Sequence, residues 1–247
     1  MIIRNQEKYL LERLRRKGID NIQHIHPPQC GDFHVFYKGV DRRTGKKLFI
    51  KWDKNLSGSV KREGEILKLP MISVSSFFPN IIYEETDFTF PYIAVEYIEG
   101  VNLKEYLSAE SGRKLLKSDS KKREMIDQLV KIAKILFQEK IVHRDIRPGN
   151  FLVKKKDGRF QQLILIDFAF SIRLNELPEL KYLQGKKEML KSLGTTRFKP
   201  ESFTWDNIYS IERIIKMLDR KFSNNHSQLA RELEVMKGKQ IFTTGDL

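Results

Sequence analysis

Two apolar runs in the middle of the chain hold three polar residues at fixed offsets, and this pattern constrains the fold more than any other. Residues 141–153 read Ile-Val-His-Arg-Asp-Ile-Arg-Pro-Gly-Asn-Phe-Leu-Val, and residues 163–169 read Leu-Ile-Leu-Ile-Asp-Phe-Ala. The second run is too apolar for an exposed strand, so Asp167 should leave a buried one. A carboxylate in that position usually faces a charged partner or a metal ion. Asp145 and Asn150 precede it in the loop between the two runs.

This order of residues resembles the catalytic loop of protein-kinase-like phosphotransferases. The resemblance implies that Asp145 orients an attacking hydroxyl and accepts its proton. It also implies that Asn150 and Asp167 bind Mg²⁺, or alternatively Mn²⁺, on the phosphates of ATP. Arg147 would steady the transferred phosphate, where serine/threonine kinases carry a lysine. Each piece alone is weak, because His-Arg-Asp occurs by chance and Asp167 could simply cap a strand; the ordered combination carries the argument.

Residues 31–51 have the pattern of strands joined by a turn at Arg43-Thr-Gly45. The segment resembles the first strands of a kinase small lobe, which end in a lysine. That resemblance implies that Lys51 holds the α- and β-phosphates of ATP. It also implies that Gly31 belongs to the loop covering those phosphates.

Helical spacing over residues 59–69 places Val60 and Glu63 on one stripe, whereas Glu65 falls on the opposite, lysine-flanked side. A carboxylate among apolar neighbours needs a buried partner. The sequence therefore predicts an ion pair between Lys51 and Glu63, which matches the lysine–glutamate pair of active kinases.

Residues 92–97 form an apolar strand before a glycine-containing turn and resemble the hinge between kinase lobes. The resemblance implies that Val95 guards the rear of the nucleotide pocket. The carbonyl of Glu96 and the amide of Ile98 would face the adenine edge, and Leu152 would form the floor of the adenine slot.

The match to kinases has three departures. The phosphate-covering loop keeps only Gly31, and His34 and its neighbours replace the other glycines, so the loop should lie less closely on the phosphates. Ala169 replaces the glycine that usually follows Asp-Phe. Phe36 and Phe49 stand where smaller residues usually roof the adenine, which would narrow the slot.

The remaining elements follow from periodicity. Four further segments are predicted, of which the first is a basic amphipathic helix over residues 1–18 with Tyr9, Leu10, Leu11 and Leu14 as its apolar side. The second is a polar loop or mobile helix end over 108–122. The third is a helix over 124–138 with Met125, Leu129, Ile132, Ala133 and Leu136 on its core side, and the fourth is a buried helix over 205–218. Asp206 suits two roles equally: its residue type suits the N-cap of that last helix, and the resemblance to kinases implies that it holds the catalytic-loop backbone.

Together these features predict an α+β, two-lobed protein-kinase-like fold. An N-terminal helix over 1–21 would pack on a β-rich small lobe (22–97), followed by a reduced, mainly helical large lobe (98–247). The large lobe would contain the catalytic loop (143–150) and an activation segment (167–201) ending in Pro-Glu.

The amino-acid composition indicates which binding partners and which cellular compartment to expect. The chain has 46 lysines and arginines against 32 aspartates and glutamates, for a net charge of +14. This charge favours anionic partners such as ATP, an acidic substrate, nucleic acid or an anionic membrane surface touched peripherally. One cysteine, Cys30, cannot build a disulfide framework. With no long apolar run and no signal-peptide core, we expect a cytoplasmic protein, in some settings peripheral at the inner membrane face. No nucleic-acid-binding motif stands out.

Several acceptors stay open. Only 29 residues follow Leu218, which resembles small bacterial and atypical kinases and favours a sugar hydroxyl on a surface glycan or lipopolysaccharide. A serine or threonine of a protein is the alternative, and Arg144 beside Asp145 would suit a loop-phosphorylation switch acting through Ser192, Thr195 or Thr196. The degenerate glycine loop and Phe49 favour a second alternative, a kinase-like scaffold without catalysis.

Overall fold

The computed structural model describes residues 2–25, 34–86, 90–156, 159–175 and 191–243. It divides the chain into two compact units. The first comprises Met1–Ser73 with Pro79–Ile98, and the second comprises Val74–Phe78 with Glu99–Leu247. The division differs from the predicted lobes by one residue at the boundary and by placing residues 74–78 in the second unit.

The first unit is an antiparallel sheet with one long helix before it and two short helices within it. Its elements are α1 (Ile2–Arg16), β1 (Ile19–Ile25), β2 (Val35–Asp41), β3 (Lys47–Trp52), α2 (Ser59–Leu67), α3 (Pro70–Ser73), β4 (Ile81–Glu85) and β5 (Tyr92–Glu96). The five strands lie in the order β1-β2-β3-β5-β4. Lys51 on β3 pairs with Phe36 on β2 and Ile93 on β5, so the central strand carries the lysine.

Helix α1 packs on this sheet through part of its predicted apolar side. Leu10 and Leu14 are fully buried in a cluster with Ile19 and Trp52. The assignment of Tyr9 to the apolar side was wrong, because its side chain is 61% exposed. One residue off the buried stripe turns a side chain by about 100° around a helix, which is enough to leave the interface.

In the ranges that the structure describes, the second unit is mainly helical and has three small sheets. Its elements are β6 (Gly100–Asn102), α4 (Leu103–Ser108), α5 (Glu110–Leu116), α6 (Asp119–Gln138), β7 (Ile141–Val142), a 3₁₀ turn (Pro148–Asn150), β8 (Phe151–Lys156), β9 (Arg159–Leu165), β10 (Ile172–Arg173), β11 (Thr204–Asp206), α7 (Asn207–Leu218), α8 (Phe222–Asn225), α9 (Ser227–Met236) and β12 (Ile241–Thr243). The sheets are β6-β8-β9, β7-β10 and β11-β12, and all their pairings are antiparallel.

Helix α6 is the centre of this unit. Its five predicted core residues, Met125, Leu129, Ile132, Ala133 and Leu136, are all fully buried. The helix begins at Asp119, so of the two alternatives for residues 108–122, a loop or a mobile helix end, the loop was wrong. That segment also contains α5, where Glu110 and Lys114 pair one helical turn apart at 2.6 Å and Leu115 is buried. None of the helices in the described ranges has the length and apolarity needed to cross a bilayer.

Candidate active site

The catalytic loop joins β7 to β8, and two residues of the site have left-handed backbones. Arg144 and Asp167 both have φ of 67°. Such a conformation is uncommon in residues other than glycine, Asn and Asp, and it persists only where surrounding contacts hold it. The buried strand predicted before Asp167 is present as β9, in which Leu163 and Leu165 are fully buried.

Three hydrogen bonds hold the side chain of Asp145. Its Oδ1 accepts a hydrogen bond from the backbone amide of Gly194 at 2.7 Å. Its Oδ2 accepts from Asn150 Nδ2 at 2.7 Å and from Arg147 Nε at 3.1 Å. These donors fix the carboxylate, which is 6% exposed, in one orientation.

The electrostatic environment of Asp145 combines opposing effects. Burial raises the pKa of its carboxyl above the ordinary value of 3.8, and the nearby negative charge of Asp167 raises it further. Arg147, the amide of Gly194 and the amide of Asn150 act in the opposite direction. The group is therefore a stronger proton acceptor than an exposed aspartate, yet it is held by donors that suit its charged form.

Asn150 and Asp167 fit an oxygen-liganded divalent cation. Asn150 donates from Nδ2 to both the backbone and the side chain of Asp145. Its Oδ1 makes no hydrogen bond within the described ranges, so the atom that a metal ion needs remains available. Asp167 is half-buried and close enough to raise the pKa of Asp145, so a cation bound by Asp167 would offset the repulsion between the two carboxylates.

His143 ties the catalytic loop to the segment that carries Asp167. Its Nε2 lies 3.1 Å from the carbonyl oxygen of Ile166, and its ring contacts Phe168 edge-on at 4.7 Å. Both His143 and Phe168 are fully buried. The two chain segments that bring Asp145 and Asp167 are thus packed against each other through their neighbours.

Asn207, which the sequence analysis missed, holds the catalytic-loop backbone. Its Oδ1 accepts from the amide of His143 at 3.0 Å, and its Nδ2 donates to the carbonyl of Ile141 at 2.6 Å. Asp206 instead caps α7 by accepting from the amides of Ile208 and Tyr209. Of the two roles considered for Asp206, the structure gives it the helix cap and gives the other to its neighbour.

Arg144 is enclosed by aromatic side chains. Its guanidinium carbon lies 5.7 Å from the ring of Trp205 on β11 and 5.6 Å from the ring of Phe242 on β12, and its Nε donates to the carbonyl of Phe170. The residue is 2% exposed. We call Trp205 and Phe242 the aromatic cage of Arg144; no local pattern in the sequence indicated it.

A second buried cation, Lys199, packs against the ring of the same tryptophan. Its Nζ lies 5.5 Å from the ring of Trp205 and donates to the carbonyl of Lys191. Burial lowers the pKa of this lysine, and the charge of Asp145 opposes that effect. Gly194, whose amide donates to Asp145, lies between Lys191 and Lys199 in the chain. The contact between Lys199 and Lys191 therefore helps to fix the loop that positions Gly194.

The predicted ion pair between Lys51 and Glu63 is present in the first unit. Lys51 Nζ lies 2.8 Å from Glu63 Oε2, and the two residues are 4% and 5% exposed. Glu65 is exposed and faces Lys61 one turn away at 4.0 Å, as the helical spacing predicted. The short connection between β3 and α2, residues 53–58, therefore does not prevent the pairing.

The residues assigned to the adenine slot are placed as follows. Glu96 ends β5, and Ile98 follows it in irregular backbone; both are partly buried. The rings of Phe36 and Phe49 lie 5.5 Å apart on neighbouring strands, so the two phenylalanines form one aromatic surface. Leu152 lies on β8 of the second unit and is partly buried. Gly31 lies outside the described residues.

Comparison with known proteins agrees with this geometry. A sequence model of the protein kinase domain matches residues 30–201, which is more than half of the chain. Serine/threonine-protein kinase D2 of Rattus norvegicus is 30% identical over 149 residues, covering 59% of this chain and 17% of the relative. Serine/threonine-protein kinase D3 of Homo sapiens is 27% identical over 175 residues, covering 68% and 19%. Serine/threonine-protein kinase atg1 of Dictyostelium discoideum is 32% identical over 151 residues, covering 57% and 22%.

The chain therefore spans about a fifth of the length of the curated relatives it matches. The matched region contains both the Lys51–Glu63 pair and the catalytic loop with Asp145, Asn150 and Asp167. The chain belongs to the protein kinase family and has its α+β fold.

Proposed function

We propose that this chain transfers the γ-phosphate of ATP to the hydroxyl of a serine or threonine in a protein substrate. The observation that carries the proposal is the fixed carboxylate of Asp145, which two side chains and the amide of Gly194 hold in one orientation. A scaffold without catalysis has no need for a buried carboxylate at this position.

The choice of acceptor rests on the relatives. The three relatives described above are named serine/threonine-protein kinases, and none of these names indicates a sugar acceptor. Arg147 lies two residues after Asp145, and its side chain is 39% exposed, so its charge can reach a transferred phosphate.

Each residue of the site has its own role in the proposed phosphotransfer. Asp145 orients the acceptor hydroxyl and takes its proton as the oxygen attacks phosphorus, and the bond between the γ-phosphorus and the ADP oxygen breaks. Arg147 offsets the charge of the transferred group. Lys51, aligned by Glu63, binds the α- and β-phosphates. Asn150 and Asp167 would hold Mg²⁺, which neutralises phosphate charge when bound.

The test compares the native protein with Asp145→Asn, using γ-labelled ATP, Mg²⁺ and an extract of the source cell. Protein and glycolipid are separated before label is counted, and the labelled protein is hydrolysed to identify the phosphoamino acid. We expect label on serine or threonine that falls by at least about 100-fold in the variant, since positioned proton acceptors contribute on that order. A circular dichroism spectrum equal to that of the native protein confirms that the variant is folded.

Other distributions of label would overturn the proposal in different ways. Label in glycolipid that depends on Asp145 would establish a sugar acceptor. Equal label with native protein and variant, in either fraction, would count against catalysis by this site and support the scaffold function.

A further inference from the structure

A basic pocket lies on the second unit. It is a surface cavity of about 380 Å³ lined by Arg197, Arg213, Lys216, Met217 and Arg220. Four of its five lining residues are cationic, and none is acidic. We call these five residues the basic pocket.

The charges of the basic pocket are poorly neutralised. Arg213 donates from Nε to the carbonyl oxygen of Arg197, a neutral acceptor. The two guanidinium groups also lie near aromatic rings, Tyr209 for Arg213 and Phe198 for Arg197, which carry no negative charge. Lys216 lies 3.9 Å from Glu212, but that carboxylate already pairs with Lys237 at 2.9 Å. Within the described ranges, Arg197, Arg213 and Arg220 have no carboxylate at ion-pair distance.

Such an arrangement has an electrostatic cost that an anion would remove. Like charges that line one concavity repel each other and raise the local positive potential. Arginine also presents donors in a planar fork that matches a carboxylate or a phosphate. The chemistry of the pocket is therefore that of a site for an anionic side chain.

The position of the pocket relates it to the acceptor hydroxyl. The amide of Gly194 bonds to Asp145, and Arg197 follows only three residues later. Three residues span at most roughly 10 Å of extended chain, so the pocket begins within that distance of the segment touching the catalytic aspartate. Residues of an extended peptide are spaced by about 3.3 Å, so the pocket is reached within a few residues of the phosphorylated one.

We propose that the basic pocket binds an acidic or phosphorylated side chain of the substrate peptide, located within about four residues of the acceptor serine or threonine. The proposal rests on the proposed function, because it assigns the substrate class of the same site. A cavity of this volume accommodates one or two side chains rather than an extended polyanion, which favours a peptide over a membrane surface or a nucleic acid.

Binding of peptides without nucleotide tests the pocket independently of catalysis. The probes are four fluorescent nonapeptides with a central serine. Two of them carry three glutamates, either on the C-terminal or on the N-terminal side of the serine. The other two carry three glutamines at the same positions. Anisotropy is measured with the native protein, with Arg213→Ala/Arg220→Ala, and with Lys121→Ala/Arg123→Ala. The last pair removes two exposed cations from α6 and serves as the matched control.

We expect one of the two glutamate peptides to bind the native protein and the Lys121→Ala/Arg123→Ala control about tenfold more tightly than its glutamine counterpart. Arg213→Ala/Arg220→Ala should lose most of that preference, and 300 mM NaCl should reduce it because salt screens exposed charges. Equal binding by native protein and pocket variant would overturn the proposal. So would equal preference for glutamate and glutamine.

Phosphorylation of the same peptides separates this proposal from the proposed function. If both hold, the ratio of kcat/KM for the glutamate peptide to that for the glutamine peptide falls in the pocket variant and not in the control. Pocket-dependent binding without Asp145-dependent phosphorylation of any peptide would leave an anion site but overturn its substrate role. Loss of binding after phosphate is incorporated at Thr195 or Thr196 would show that the pocket serves the protein's own loop and would also overturn it.

Discussion

At the scale of single residues, Asp145 must be ionised to accept a proton, so its pKa sets the acid limit of the proposed reaction. Burial raises that pKa above 3.8, and Arg147 is the largest opposing influence. The rate should fall as pH falls through the raised pKa. Arg147→Ala removes a contribution that lowers the pKa, so the acid limb of log(kcat/KM) should move to higher pH.

The measurement is kcat/KM between pH 4 and 8 with one substrate for all variants, so that titration of the substrate cancels. Arg147→Lys keeps the positive charge and should leave the limb close to that of the native protein. If Arg147→Ala lowered the rate equally at every pH, the limb would belong to a group other than Asp145.

The buried Lys51–Glu63 ion pair leads to a prediction about the free energy of unfolding. Both residues are almost fully buried, so Lys51→Met leaves the Glu63 carboxylate in a dry environment without its lysine. We expect a loss of about 3 kcal/mol in the free energy of unfolding, the order found when one partner of a buried pair is removed. Lys51→Met/Glu63→Leu should be more stable than the single variant, because no buried charge remains.

Denaturant unfolding followed by circular dichroism measures both variants. Glu65→Gln, on the exposed side of the same helix, is the matched control and should change stability by less than about 0.5 kcal/mol. A double variant less stable than Lys51→Met would mean that packing, rather than the uncompensated charge, dominates at this site.

At the scale of elements, strand β12 supports the catalytic loop. Phe242 packs on the ring of Trp205 at 6.0 Å, and the two rings enclose Arg144. Since Arg144 is 2% exposed, a phosphate on Thr195 or Thr196 would have to displace the cage to reach it. We therefore expect the position of the loop to depend on β12 rather than on phosphorylation.

Two variants test this dependence. Phe242→Ala should lower the free energy of unfolding by about 3 kcal/mol, as loss of a buried phenylalanine does, and should also lower kcat in the folded protein. Phe242→Leu keeps most of the apolar volume and should retain most of both. Thr195→Ala/Thr196→Ala should retain the native kcat. A loss of activity in this variant, together with phosphate found on Thr195 or Thr196 of the active native protein, would support the phosphorylation switch instead.

At the scale of the whole molecule, the net charge of +14 gives a testable dependence on salt. Self-repulsion of a highly charged chain disfavours its compact state, and salt shortens the reach of exposed charges to about 10 Å at 0.1 M. The melting temperature should rise by about 2–4 °C between 20 and 300 mM NaCl, which corresponds to roughly 1 kcal/mol for a chain of this size. KCl should act equally, and a melting temperature that stays constant or falls would show that attractive surface pairs outweigh the repulsion.

The parts of the fold that the sequence predicted are those with a local pattern. Helical spacing identified the buried side of α6 and the placement of Glu63 opposite Glu65, because a helix repeats its faces every few residues. The order of Asp145, Asn150 and Asp167 resembles a kinase catalytic loop, and that resemblance predicted their roles.

The parts that were missed depend on contacts between distant segments. Strand β12 has three residues, too few for an alternating pattern, and exists by pairing with β11 more than thirty residues earlier. Asp206 and Asn207 are adjacent and both suit a helix cap, so only the position of His143 distinguishes which of them binds the loop.

The pairing of β12 with β11 also has a consequence for the order of events on the ribosome. Arg144 and Phe242 are 98 residues apart in the chain. At elongation rates of about 5–20 residues per second, the cage closes roughly 5–20 s after the catalytic loop has been translated. During the last part of that interval, after Trp205 has been translated, a nascent chain contains Asp145, Asn150 and Asp167 but lacks Phe242, the second wall of the cage around Arg144. The phosphotransfer activity that we propose would thus appear only near the end of translation, once Phe242 has been added.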